Sequence, residues 1–147
     1  FSKRRLKNFI KVVKKYGLMS KEHNGDYLTD SFDVELRFEY GLDAINIAPE
    51  FGQIESEFYL DECRKNEELF EELYQLCYTS NKWRKWIKDE KRVSKSQIIM
   101  TCCHYILSNQ EFKDKIASNF PHSKSSIKSR INSKLKLLNE QTKNYCF

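Results

Sequence analysis

Apolar residues recur at helical spacing from the start of the chain. Leu6, Phe9, Ile10, Val13 and Tyr16 fall on one face of a helix, and Gly17 supplies its C-terminal stop. Leu18 to Lys21 reads as a short strand running into the polar loop His23-Asn24-Gly25-Asp26. Asp30 or Ser31 then caps a second helix that reaches about Tyr40, with Gly41 at its end. The run Ala44-Ile45-Asn46-Ile47-Ala48 predicts a second strand, closed by Pro49. A long acidic helix is expected from about Ile54 to Tyr78, with Gly52 in the loop before it.

Downstream the pattern is helical only. Trp83 and Trp86 sit in a basic helix end, three apart, and are expected to share a side and close the core. Ser94 to Ser108 reads as an apolar helix and Glu111 to Ser118 as a short one. After Pro121, a last helix places Ile127, Ile131, Leu135 and Leu138 in a stripe. Lys124, Lys128, Arg130, Lys134 and Lys136 flank that stripe and read as its solvated side.

Helix and strand alternate in the first half, which is the signature of parallel βα units. The fold class expected is therefore α/β: the C-terminal portion of a (β/α) barrel with a helical C-terminal extension, predominantly helical in this chain. Residues 1–80 would be the terminal βα units and 81–147 the extension. Two strands cannot close a barrel. The opening at Phe1, without an initiator Met, fits a chain cut from something longer, so further strands are expected upstream or from a partner subunit. Such a chain is expected to associate, because its strand edges stay open.

Composition narrows the class. The 147 residues are 39% hydrophobic and 14% aromatic, too apolar for a disordered chain, and only four Gly and two Pro argue against a turn-rich β-sandwich. No apolar run is long enough to span a bilayer, and the basic start lacks the apolar stretch of a signal peptide, so no membrane partner and a cytoplasmic location are expected. The net charge of +5 hides three blocks: residues 1–25 carry +7, 26–75 carry −12 and 76–147 carry +10. Such blocks point to complementarity within the chain or between subunits more than to a nucleic-acid face.

Five cysteines, Cys63, Cys77, Cys102, Cys103 and Cys146, have no framework spacing and read as small core residues in a reducing compartment. Adjacent side chains on a helix point about 100° apart, so Cys102-Cys103-His104 is a poor chelator and no metal site is assigned.

Candidate chemistry collects in two loops. In a βα arrangement the loop after a strand's C-terminal end is where binding groups gather. After the first strand stand His23, Asn24, Asp26 and Tyr27; His23 could act as acid or base with Asp26 orienting it through a hydrogen bond, or the loop could be a plain turn with a half-exposed His. After the second strand stand Asn46 and Glu50, read either as polar site groups or as a Pro-Glu helix start. His23 and Asp26 are the candidate catalytic residues, and Asn24, Tyr27, Asn46 and Glu50 the candidate substrate-binding residues. Glycine-rich phosphate loops, dinucleotide fingerprints and nucleophile elbows are absent.

The segment His23-x-x-Asp26-Tyr27, followed by a strand ending Ile47-Ala48-Pro49, resembles the non-catalytic (accessory) subunit family of class II D-tagatose-bisphosphate aldolase. The likeness spans about residues 10–62. Glu57 matches the family's helix after the second strand, whereas Asn46 and Ser56 replace its Lys and Arg. The resemblance implies a barrel-type protein of sugar-phosphate metabolism that binds a sugar or sugar phosphate, or supports a catalytic partner using a divalent metal such as zinc. Two other classes stay open. One is a catalytic aldolase or isomerase acting on a sugar. The other is a small helical interaction or nucleic-acid-binding domain, with Trp83 and Trp86 among Lys82, Arg84, Lys85 and Lys88, although nucleic acid is not the expected partner.

Overall fold

The computed structural model describes residues 2–23, 25–28 and 31–145, with only the backbone for Ser31, Phe32 and Asp33. The expected cap Asp30, the site candidate Asn24 and Cys146 lie outside the described residues. Two units make up the chain: one runs to Glu50 and resumes at Asn132, and the other is the continuous stretch from Phe51 to Ile131.

The first unit begins with α1 (Lys3–Lys15), whose end is marked by Gly17 at φ +65°, a left-handed value that favours glycine. Next come β1 (Lys21–Glu22), α2 (Ser31–Glu39) and β2 (Ala44–Ile45). The strands pair in parallel, Lys21 opposite Ala44 and Glu22 opposite Ile45. Asp43 fixes this register. Its carboxylate accepts from the Ser20 backbone N–H (2.6 Å) and the Ser20 hydroxyl (2.8 Å), and its other oxygen holds the Lys14 ammonium of α1. The Lys14 hydrogen bond, with those from Ser20, lowers the Asp43 carboxyl to about 2. Leu6, Ile10 and Leu42 form a small core beneath, flanked by Tyr40 and Ile45.

The second unit is helical throughout the described residues. It contains most of α3 (Pro49–Cys63), then α4 (Glu67–Thr79), α5 (Lys95–Cys102), α6 (Gln110–Lys115) and the first part of α7 (Ser123–Thr142). Single 3₁₀ turns at Lys82–Lys85, Glu90–Arg92, Cys103–Tyr105 and Ala117–Asn119 join them. Trp83, Phe112, Leu73, Ile99 and Ile116 are almost wholly enclosed, together with Cys63, Cys77, Cys102 and Cys103. The Trp83 indole N–H donates to the Tyr78 carbonyl (2.9 Å), so its one polar atom is satisfied on burial. Acids of α4 meet bases from elsewhere in the unit: Glu71 pairs with Lys95, and Glu72 with Lys115.

The barrel expectation is overturned. Among the described residues there are two strands of two residues each, and helices make up most of the rest. The physical reason lies in the apolar runs. Leu18 and Met19 are 61% and 80% exposed, outside the ladder, and Ala44–Ala48 contributes only Ala44 and Ile45 to it. Three further expectations change. The long acidic helix is broken, because Asn66 accepts from the backbone N–H groups of Glu68 and Leu69 and starts α4 anew. Trp83 closes the core as expected, but Trp86 is 59% exposed. On α1, Leu6 and Ile10 are buried while Phe9 and Tyr16 are not.

Candidate functional site

The two loops expected to carry chemistry lie side by side at the C-terminal ends of β1 and β2. Past the two-residue strands two more backbone bonds join the loops: Asn46 N–H donates to the Glu22 carbonyl (2.9 Å), and Gly25 N–H to the Asn46 carbonyl (3.0 Å). Gly25 is required by this approach, since a Cβ there would stand 1.8 Å from the Ile45 methyl. His23, Asp26, Tyr27, Asn46 and Glu50 are thereby gathered in one unit.

Each residue has a definite engagement. Asp26 Oδ1 accepts from the backbone N–H groups of Ala48 (3.1 Å) and Glu50 (2.9 Å), satisfying donors where α3 begins. Its Oδ2 is buried without a hydrogen-bond partner. Glu50 accepts the Tyr27 backbone N–H at 2.8 Å and pairs with Lys134 of α7 at 2.9 Å. The Lys134 ammonium also donates to the Leu28 carbonyl (2.7 Å), so this cation fastens both loops. The Glu50 and Lys134 side chains are 10% and 9% exposed.

Tyr27 holds φ +62°, sparsely populated for a residue with a Cβ, and projects a half-exposed ring. Partial burial, then the charges of Asp26 and Glu50, raise its phenol above the ordinary value. His23 is exposed, and its Nδ1 lies 3.4 Å from the Asn46 side-chain amide. The partner of His23 is thus Asn46 and not Asp26, whose carboxylate is turned to the α3 backbone. Arg37 and Glu22 form a further ion pair (2.8 Å) on the strand side, with the Arg37 side chain only 6% exposed.

The chemistry open to this arrangement is hydrogen bonding to hydroxyl groups, with an imidazole, an amide and a phenol presented and two carboxylates held behind them. Among the described residues no group of three His, Cys, Asp or Glu side chains is placed to hold a metal ion. Sequence reading missed Lys134. The signal was present: Lys134 stands three residues after Ile131 and four before Leu138, on the apolar stripe itself, while Leu135 is 46% exposed.

Compared with known protein families, with characterised proteins and with solved structures, the chain matches none. The aldolase-subunit likeness therefore rests on the motif residues alone. Among the described residues no helix is long and apolar enough to cross a membrane.

Proposed function

We propose that the chain binds a sugar or sugar phosphate at the loops after β1 and β2, in a supporting and not a bond-cleaving role. The observation that carries this reading is the pairing of His23 with Asn46 beside the exposed Tyr27, at the C-terminal ends of two parallel strands. An amide and an imidazole can each donate and accept toward vicinal hydroxyls, and a tyrosine ring offers a face for sugar C–H groups. The supporting role is favoured by Asp26 Oδ1, which the α3 backbone N–H groups hold, and by Glu50, which Tyr27 N–H and Lys134 hold. A cytoplasmic place of action belongs to the same reading and is supported by the four buried, unpaired thiols.

Titration calorimetry with a ketohexose bisphosphate, the free ketose and inorganic phosphate tests it. Saturable binding of the sugar compounds is expected, weakened about tenfold by Asn46→Ala through loss of one or two hydrogen bonds. Heat from inorganic phosphate alone, or none from any of the three, would sink the reading.

A second reading has its own observation. Trp86 is exposed with the Lys85 ammonium 4.9 Å above its ring, next to Lys82, Arg84 and Lys88, all exposed. That is the composition of a base-stacking surface for single-stranded nucleic acid. Quenching of Trp86 fluorescence by an oligonucleotide, lost as salt is raised, would favour it over the first.

A further inference from the structure

Helix α1 buries one side against its own unit and leaves a second apolar seam open. Leu6 and Ile10 form the buried side, in the small core with Leu42. Arg5, Phe9, Val12 and Tyr16 follow one another at spacings of four, three and four residues. At about 100° per residue they share an arc of about 60°, the spacing by which one helix packs along another. Phe9, Val12 and Tyr16 are 47%, 57% and 69% exposed, and Arg5 is exposed as well. Leu18 and Met19, just past the end of α1, add to the exposed apolar surface.

Charge is arranged around this seam and not on it. Seven bases and no acid lie between Lys3 and Lys15, and of these only Arg5 belongs to the seam. The other six stand about 90° or more from its centre. The positions flanking it, Asn8 and Val13, are uncharged. An anionic lipid surface or an acidic segment laid on the seam would meet one base, with the other six turned aside. Two copies meeting there would keep those bases outside the contact. The seam also matches itself. In antiparallel order Phe9 of one copy opposes Val12 of the other, and Arg5 at one end opposes Tyr16 at the other.

We infer that α1 pairs with α1 of a second copy of this chain, antiparallel, about a two-fold axis between Phe9 and Val12. Each Arg5 guanidinium would lie on the Tyr16 ring of the other copy. It would take the ring face opposite Lys15, whose ammonium is 6.0 Å from the ring centroid. The contact is isologous, so it closes at two copies. A helix of 13 residues is a small interface, and the affinity expected is modest, on the order of 10 μM.

Sedimentation equilibrium of the whole chain over a range of concentrations tests this, and a monomer–dimer equilibrium is expected. Val12→Glu brings two carboxylates close to the axis and should weaken association about tenfold or more, with Tyr16→Ala weakening it less. Lys11→Glu, off the seam, should leave it intact. All three positions are exposed, so folding of each variant can be verified by circular dichroism. Raising salt screens the bases of the two copies from one another, so association should hold or tighten. A monomer at every concentration overturns the inference. So does a dimer that Val12→Glu leaves intact, that Lys11→Glu weakens as much as Val12→Glu does, or that dissociates as salt is raised.

Discussion

At the scale of single residues, Lys134 and Glu50 decide how the two loops are held. Both side chains are about nine-tenths buried, and each has a second engagement, Lys134 with the Leu28 carbonyl and Glu50 with the Tyr27 N–H. Removing one partner leaves a buried charge uncompensated. Lys134→Met should lower unfolding free energy by roughly 3–5 kcal/mol in urea titration, and adding Glu50→Gln should restore part of the loss. Equal losses in the single and double variants would show that the charge pairing contributes little. Asp43 answers to pH. Its folded carboxyl, held at about 2, lies below the unfolded aspartate value, so its contribution is present above that value and is lost as pH falls through the folded one. The urea midpoint of the native chain should therefore fall more between neutral pH and pH near 2 than that of Asp43→Asn, compared under the same conditions. That His23, Asp26, Tyr27, Asn46 and Glu50 come together was legible, since two short loops with local signals bring them to the strand ends. For Lys134 only its place on the apolar stripe was legible, because that position does not identify the distant acid it meets.

At the scale of elements, local signals set where helices start, and their absence limits the strands. Asn66 followed by two glutamates is an N-cap with acids in the first turn, and it divides what hydrophobic spacing alone joins into one long helix. Asn66→Ala should cost about 1 kcal/mol, read from the thermal or urea midpoint; no change would show that the Cys63–Asn66 turn is set by packing instead. His104 sits in the turn after α5, with Nδ1 buried and unbonded, and burial lowers its pKa. The unfolded state therefore binds a proton first, and stability should fall as pH drops below the ordinary histidine value; His104→Gln should reduce that slope. The alternation of helix and strand was read correctly as parallel pairing. The barrel was not there to be read: pairing of β1 with β2 is specified by Ser20 and Asp43 nearby, whereas closure of a sheet depends on strands that these residues do not supply.

At the scale of the whole molecule, the charge blocks resolve into pairs inside each unit. Lys14 meets Asp43 and Lys134 meets Glu50 in one; Lys95 meets Glu71 and Arg130 meets Asp61 in the other. The units differ in how much they bury. Among the described residues fifteen side chains form the core cluster of the second, but only Leu6, Ile10 and Leu42 cluster in the first. Backbone amides of α1 and β1 should accordingly exchange with solvent faster than those of α4 and α5, and equal protection factors across both units would contradict this.

The discontinuity of the first unit also imposes an order in time. The chain leaves that unit after Glu50 and returns at Asn132, and the Lys134 ammonium grips a carbonyl 106 residues earlier. During synthesis the stretch 51–131 is complete before Lys134 exists, and its contacts are all available at once. A ribosome paused between these points carries a nascent chain whose Glu50 has no ammonium to neutralise it. The polar loops at the strand ends are thus secured only after the stretch 51–131 has been made, and their closure waits on Lys134.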